Sequence, residues 1–275
     1  MTVDATLTDQ LATELLDALD RNVLIEPITD RHPSFDEAAA YQVNGELYRR
    51  RVARGEKPIG RKIGFTNRTI WPEYGVYTPM WAHVYDTTVQ FFDANSGTQK
   101  IGHLAQPRIE PEILLHFKYS PAGVTTEAEI LACIDWIAHS VEIVQSHFAD
   151  WKFKAADTAA AFGLHGALMV GPPRPIEDLG TPDELIAQLR TFEIALSRNG
   201  EVQARGGGFN VLDSPLLAFA HLQTVLKGLP QFEPVQAGEI VTTGTLTAAL
   251  PIEPGQTWST EFDGLGLDGL RIEFR

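Results

Sequence analysis

The first sixty residues carry apolar positions at helical spacing. From Leu7 to Arg21 apolar side chains recur every three or four residues, which predicts an amphipathic helix. A second helix is predicted after Ser34, because Ser34 and Glu37 have the spacing of a capping box and apolar positions continue over residues 41–52. The start of the chain is therefore expected to be mainly helical.

The pattern then changes to short runs of β-prone residues. Three of them, Ile59 to Phe65, Val89 to Phe92 and Ile109 to Phe117, are separated by segments rich in Gly, Pro, Asn and Asp. Residues 125–139 are predicted to form a helix, and residues 141–145 a strand after it. Strands are expected to dominate this part of the chain.

The second half of the chain combines both patterns. The β-prone run from Phe192 to Ser197 leads into Asn199-Gly200, a strong hairpin-turn signal. Helices are predicted after Thr181-Pro182 and Ser214-Pro215, because each pair places a capping hydroxyl before a proline at the first helical position. Further strands are predicted at residues 167–170, 240–250 and 257–274.

These elements predict an α+β protein with two parts. Residues 1–75 are expected to form a small, mainly helical N-terminal region, packed on a larger domain of mixed β-sheet over residues 76–275. A chain of 275 residues can bury one large core or one core and a small appended domain. The sequence shows no fixed-period repeat and no low-complexity linker.

Composition narrows the classes of partner. The chain has 36 acidic and 22 basic residues, and a formal charge of −14 repels nucleic-acid phosphates and anionic lipid. No run of about 18 apolar residues suggests a membrane span, and the N-terminus is acidic, unlike a signal peptide. With the single Cys133 no disulfide forms within the chain. We expect a cytoplasmic protein without nucleic-acid or membrane partners.

Two glutamates in one strand are the first candidates for chemistry. Glu110 and Glu112 project to the same face because a strand alternates faces, about 7 Å apart along the backbone. Both could face solvent, but the apolar neighbours predict a buried strand, where unpaired carboxylates are costly. Pro111 places this stretch at an edge, a bulge or the rim of a site. Arg108 shares the face and could offset the negative charge, or lie at the surface.

A third carboxylate, Glu142, stands alone in an otherwise apolar β-prone run. Three carboxylates with water or substrate oxygens would complete the octahedral shell of Mg²⁺ or Mn²⁺. No Cys or His pair has the ligand spacing of a zinc site. The residues alone therefore indicate a hard divalent cation, with Glu142 the least secure of the three ligands.

Several motifs in this chain resemble a known family. The sequence is similar to the 2-keto-4-pentenoate hydratase and 4-oxalocrotonate decarboxylase group of the fumarylacetoacetate hydrolase superfamily, in motif order and spacing, over nearly its whole length. The motifs are Gly60-Arg-Lys-Ile-Gly-Phe-Thr, Pro107-Arg-Ile-Glu-Pro-Glu, Val141-Glu-Ile-Val-Gln-Ser, Asp150-Trp-Lys, Asp157-Thr and Thr243-Gly-Thr-Leu-Thr.

The resemblance implies a fold and a site. It implies that the larger domain is the β-roll typical of the C-terminal domain of that superfamily, and that Glu110, Glu112 and Glu142 hold Mg²⁺ or Mn²⁺ against the carboxylate and 2-oxo oxygens of a small acid. Members are generally homo-oligomers, so at least a dimer is expected. Thr245 matches the substrate-binding threonine of the superfamily. Thr66, the last residue of the first motif, is also expected to bind the substrate.

Lys62 matches a lysine near the substrate, where it would move protons or hold the acid group. The residues support this independently, because Lys62 lies in a predicted strand between two glycines that allow close backbone approach. Desolvation beside a cation is expected to lower its pKa towards a value useful for proton transfer. Its alternative is a surface lysine whose stem packs on apolar residues.

One segment departs from the family pattern. Where hydratases of the family continue with a polar pair and a serine, this chain has Ala159 to Gly166, which contains Phe162 and His165. His165 is therefore expected to position water, although a structural histidine is as plausible, and Phe162 to contact a larger, more apolar substrate.

The expected activity is that of a hydro-lyase acting on a 2-hydroxy-2,4-dienoate or a 2-oxo-enoate. Three alternatives stay open: decarboxylation of a related 2-oxo diacid, hydrolytic carbon–carbon cleavage of an acylpyruvate with His165 activating water, and a non-catalytic scaffold subunit. Retention of three buried carboxylates and Lys62 argues against the scaffold.

Overall fold

The protein is described by a computed structural model that covers residues 4–275, without the side chains of Ile70, Glu73 and Tyr74. Its helices are α1 Ala5–Arg21, α2 Ile28–Arg31, α3 Glu37–Ala53, α4 Trp71–Tyr74, α5 Glu127–Ala132, α6 Ala155–Ala160, α7 Pro182–Thr191 and α8 Pro215–Lys227. Its strands are β1 Pro58–Gly64, β2 Met80–Tyr85, β3 Val89–Phe91, β4 Ser96–Gln99, β5 Arg108–Phe117, β6 Ile134–Val144, β7 His165–Val170, β8 Arg174–Pro175, β9 Glu193–Arg198, β10 Glu201–Gly207, β11 Ile240–Thr242, β12 Leu250–Pro251, β13 Thr257–Asp263 and β14 Arg271–Phe274.

The strands form two mixed sheets. The larger has the order β2-β1-β11-β5-β6-β7-β3, with β12 beside β5 and β8 beside β6, and the smaller has the order β10-β9-β13-β14-β4. Parallel pairs, such as β1 with β11, lie among antiparallel ones, such as β5 with β6. The predicted α+β class with a large mixed sheet is confirmed.

One face of β5 and β6 packs on the smaller sheet. Ile109, Val141 and Ile143 belong to one hydrophobic cluster with Trp258 and Ile272 of the smaller sheet. Because successive side chains of a strand point to opposite faces, this packing turns the intervening positions of β5 and β6 to the other face. The carboxylates of interest are at those positions.

The helices at the start of the chain pack together on the large sheet. Buried residues of α1 and α3, such as Leu15 and Val43, share a cluster with Ile63 of β1 and Ile113 of β5. The division at residue 75 stays a prediction, and β1, on its N-terminal side, is hydrogen-bonded to β2 and β11 within the large sheet. Among the described residues, no helix is both long and apolar enough to cross a membrane.

The predicted starts of two helices and one turn are confirmed. The side chains of Thr181 and Ser214 accept backbone N–H groups at the starts of α7 and α8, and Asn199-Gly200 joins β9 to β10. The predicted cap Ser34 is wrong, because it is Asp36 that accepts the N–H of Ala39 at the start of α3.

The predicted helix over residues 125–139 is wrong in its second half. The helix α5 ends at Ala132, and β6 begins at Ile134. An apolar run of this kind fits either a helix or a buried strand, and pairing with β5 along nearly all of β6 decides for the strand. The predicted strand over residues 240–250 is interrupted after Thr242, because Gly244 has φ 99° and turns the chain.

Candidate metal centre and active site

Three carboxylates meet on one face of the large sheet. In the register of β5 with β6, Glu110 lies directly opposite Glu142, and Glu112 is two residues further along β5. One carboxylate oxygen from each of the three residues lies within 4.8 Å of the others. The side chains of Glu112 and Glu142 are fully buried. The structure thus brings together the three residues predicted as metal ligands.

The cluster is electrostatically unfavourable when considered alone. Burial raises the pKa of Glu110 to about 7, with Lys62 opposing the shift and Glu142 adding to it. Burial, followed by the charges of Glu142 and Glu110, raises the pKa of Glu112 well above its usual value. A divalent cation between the carboxylates would favour their charged forms and relieve this repulsion.

The free oxygen atoms of the cluster fit a cation. Glu112 Oε2 accepts the backbone N–H of Gly244 at 2.9 Å, while the buried Oε1 has no hydrogen-bond partner among the described residues. Glu142 Oε1 accepts from His165, and its Oε2 forms an ion pair with Lys62 at 3.3 Å but has no hydrogen-bond partner in the described part of the chain. A donor set made of carboxylate oxygens is the set that Mg²⁺ and Mn²⁺ prefer.

Lys62 projects from β1 towards this cluster. Its Nζ donates to the carbonyl oxygen of Gly163 at 2.9 Å and pairs with Glu142. The lowered pKa that we expect from the sequence is not found: burial lowers the pKa of Lys62, but the charges of Glu142 and of the other two glutamates raise it above its usual value. A cation held by the carboxylates would offset part of that effect.

His165 contacts the carboxylate cluster through Glu142. Its Nδ1 donates to Glu142 Oε1 at 2.7 Å, so that Nε2 accepts from the hydroxyl of Thr88 at 2.8 Å. Burial lowers the pKa of His165, although the hydrogen bond with Glu142 acts in the opposite direction. The lowered pKa keeps the ring neutral. A catalytic role for His165 stays a prediction, and its contacts favour the orientation of Glu142 instead.

A narrow pocket of about 80 Å³ opens over Glu110. It is lined by four other residues that the sequence predicts at the site, namely Lys62, Thr66, Arg108 and Thr245. The hydroxyl of Thr66 is buried without a hydrogen-bond partner among the described residues, whereas that of Thr245 donates to the carbonyl of Thr247.

Of the residues predicted to contact the substrate, Phe162 is the one that does not line this pocket. Its side chain is buried, and its ring lies 5.7 Å from the guanidinium of Arg51. The pocket is lined instead by Gly163 and Leu164. All of residues 162–164 have positive φ, and this tight turn presents the Gly163 carbonyl to Lys62.

Several residues at the site were not predicted. The guanidinium of Arg108 lies 4.1 Å from the ring centre of Trp151, which lines the pocket with Phe153. The Asp150-Trp-Lys motif was a usable signal for Trp151. No signal in the sequence pointed to Thr88, because it lies 77 residues away from His165, which it contacts.

Comparisons with known proteins agree with this architecture. Residues 83–269 match the family described as fumarylacetoacetate (FAA) hydrolase, C-terminal. A 2-hydroxyhexa-2,4-dienoate hydratase of Comamonas testosteroni is 31% identical over 92% of both chains. A 2-keto-4-pentenoate hydratase of Paraburkholderia xenovorans is 30% identical over 97% of this chain and 94% of the relative.

Among solved structures, a 4-oxalocrotonate decarboxylase from Pseudomonas putida G7, complexed with magnesium and adipate, is similar over the whole chain. Its TM-score is 0.89 at 28% identity, with 100% of this chain and 99% of that chain covered. The matched region includes both large-sheet strands that carry the glutamates. The chain therefore belongs to the fumarylacetoacetate hydrolase family.

Proposed function

We propose that the chain is a metal-dependent hydratase that adds water to a 2-hydroxy-2,4-dienoate in the breakdown of aromatic or related compounds. The observation that carries the proposal is the buried group of Glu110, Glu112 and Glu142 beside Lys62. The hydratase relatives, similar over nearly the whole chain, give the reaction class. A bound Mg²⁺ or Mn²⁺ would be held by the three glutamates and would act as a Lewis acid on substrate oxygens.

Lys62 lies beside the pocket in which the proton transfers of this reaction would take place. Its Nζ donates to the carbonyl of Gly163 and forms an ion pair with Glu142, and Lys62 also lines the pocket over Glu110. In the proposed mechanism Lys62 helps to move the proton of the 2-hydroxyl group to the end of the diene, which yields an unsaturated ketone. Water then adds to the conjugated carbon.

The other pocket residues would bind and orient the reactants. The unpartnered hydroxyl of Thr66 is a candidate for holding substrate or the attacking water. Arg108 is held by Trp151 at the pocket wall and can bind a carboxylate. His165 would act on the reaction only through Glu142, which weakens the case for hydrolytic cleavage with His165 as the base.

Decarboxylation of a related diacid is the second candidate. The guanidinium of Arg108 lies over the ring of Trp151 and lines the pocket, where it can meet a second substrate carboxylate. The similarity to the decarboxylase of Pseudomonas putida G7 also favours this reaction. It would use the same glutamates and Lys62, but no attacking water.

The test supplies the EDTA-treated protein with Mg²⁺ and then with 2-hydroxypenta-2,4-dienoate, 4-oxalocrotonate or an acylpyruvate. Addition of one water to the dienoate, lost on Glu142→Gln and kept on Glu201→Gln at an exposed glutamate, would support the hydratase. If carbon dioxide is released from the diacid faster than water adds to the dienoate, the protein is a decarboxylase instead of a hydratase. No turnover of any of the three would refute both. Homo-oligomerisation and a cytoplasmic location remain predictions.

A further inference from the structure

A second cavity, of about 890 Å³, lies on the other side of β1 from the candidate active site. Arg61 lines it, whereas the next residue, Lys62, lines the pocket over the glutamates. Consecutive residues of a strand project to opposite faces, which separates the two sites. The volume is in the range of small-molecule sites, about 300–1,000 Å³. Exposed Asp9 and Arg49 are among the lining residues, so solvent reaches the cavity.

Flat side chains form the walls of the cavity. The ring of His83 lies 4.5 Å from that of Tyr48 and 5.9 Å from that of Phe232, measured between ring centres, and all three residues line the cavity. Aromatic walls of this kind favour a flat apolar molecule, because stacked or edge-on rings attract each other. The walls therefore indicate a planar, aromatic ligand.

The floor of the cavity holds hydrogen-bonding groups without partners. Arg61 is 2% exposed; its Nε donates to Glu239 and its Nη2 to the carbonyl of Glu233, but its buried Nη1 has no partner among the described residues. His83 lies directly opposite Arg61 on β2, and its buried Nδ1 is also unpartnered. Buried donors are rarely left unpaired in proteins, and an acceptor from a ligand would satisfy Arg61 Nη1. His83 Nδ1 would donate to the same acceptor in the tautomer that carries its proton there.

Arg61 and Arg51 place positive charge close to His83. Burial, together with the charges of Arg61 and Arg51, lowers the pKa of His83 to about 3, so its ring is neutral at physiological pH. The same positive charges attract an anionic group. Four carboxylates line the cavity, and three of them are ion-paired: Asp9 and Glu46 with Arg50, and Glu239 with Arg61. The fourth, Glu233, has no ion pair among the described residues.

We propose that this cavity binds a planar aromatic monocarboxylate, with the carboxylate at Arg61 and His83 and the ring between Tyr48 and Phe232. The site is separate from the glutamate cluster, since its lining residues and those of the pocket over Glu110 share no member. The proposal therefore goes beyond the proposed function and does not depend on it.

The test uses the full chain with Mg²⁺ and measures benzoate binding by calorimetry, with excess oxalate present to occupy a metal-bearing active site. Gly45 offers a way to fill the cavity, because a Cβ added there meets only Phe232, at 3.7 Å. Gly45→Leu is expected to weaken benzoate binding at least tenfold, while Gly45→Ala changes it less than threefold. Both variants are expected to keep wild-type turnover.

Two further arms keep the proposal open to refutation. Cyclohexanecarboxylate has the same charge as benzoate but is not planar, and benzamide is planar but neutral. Each is expected to bind at least tenfold more weakly than benzoate. Tyr48→Leu, which removes one wall, is expected to weaken benzoate binding as well. The proposal is overturned if benzoate does not bind, if Gly45→Leu binds it normally, or if that variant instead changes the oligomeric state, which would make the cavity a contact between copies.

Discussion

Glu110 and Glu142 are direct cross-strand partners in the antiparallel pair of β5 and β6. Side chains at such positions have Cβ atoms about 5 Å apart, and Glu112 joins them because it shares the face of Glu110. The regular geometry of the sheet is thus sufficient to bring three carboxylates together. Since nothing in the pairing itself offsets their charge, a cation is expected to contribute strongly to stability.

Mg²⁺ is expected to stabilise the EDTA-treated protein against heat. At about 100 times its dissociation constant, a ligand adds about 2.7 kcal/mol to the free energy of unfolding, which corresponds to a rise of several degrees in melting temperature. Glu112→Gln replaces one of the buried carboxyl groups by a neutral amide. Its melting temperature without metal is expected to equal or exceed that of the wild type, while the response to Mg²⁺ is lost.

The exposed glutamate Glu201 provides the control for this comparison. Glu201→Gln is expected to respond to Mg²⁺ like the wild type. A full Mg²⁺ response in Glu112→Gln would show that the cation binds elsewhere.

Lys62→Met is expected to lower turnover of the dienoate about 10²- to 10⁴-fold, because it removes the one lysine that, among the residues the structure describes, lines the pocket over Glu110. The measurement is the steady-state rate at saturating Mg²⁺, where the cation compensates the carboxylates that lose their lysine. Lys57→Met, at an exposed lysine close in sequence, is the matched control. A near-normal rate in Lys62→Met would remove Lys62 from the proton transfers.

His165→Asn is expected to act on metal affinity rather than on the chemical step. Loss of the group that orients a metal ligand typically weakens metal binding 10- to 100-fold, so the Mg²⁺ titration of activity should shift to higher concentration. At saturating Mg²⁺ the turnover number should recover to within about tenfold. Thr88→Val, which removes the partner of Nε2, is expected to shift the titration in the same direction but less.

The alternative for His165 gives the opposite pattern. If the imidazole activates water, the turnover number falls at every Mg²⁺ concentration, the titration midpoint is unchanged, and Thr88→Val has little effect.

Local rules were enough for part of the site. The alternation of a strand placed Glu110 and Glu112 on one face from the sequence alone, and hydroxyl caps located the starts of α7 and α8. Glu142 stood out as a lone charge in an apolar run but rested more heavily on resemblance, because its position opposite Glu110 depends on the register between two strands, which the sequence does not state. The same strand was partly mistaken for a helix, since its apolar run fits both periods.

Long-range contacts account for what was missed. The pairing of His165 with Thr88 and the turn that carries the Gly163 carbonyl to Lys62 join residues 77 and 101 positions apart. The expected lowering of the Lys62 pKa assumed a cation beside the amine, whereas the three carboxylates without a cation raise that pKa. Such sums of opposing burial and charge are decided only by the folded geometry.

His83 gives a prediction on acid stability that is independent of the metal. Its pKa is about 3 in the folded protein, against 6.5 as the ordinary value, through burial and the charges of Arg61 and Arg51. Above about pH 6.5 the ring is neutral in both states; as the pH falls towards 3, the unfolded chain takes up a proton that the folded one refuses, so stability is lost. Between pH 7 and pH 5 this loss is about 2 kcal/mol.

In His83→Phe that contribution is absent, so urea unfolding should show the variant gaining about 2 kcal/mol relative to the wild type over the same interval. His103→Phe, at an exposed histidine, should keep a constant difference from the wild type. A difference between His83→Phe and the wild type that does not change with pH would mean that His83 is not held neutral by its surroundings.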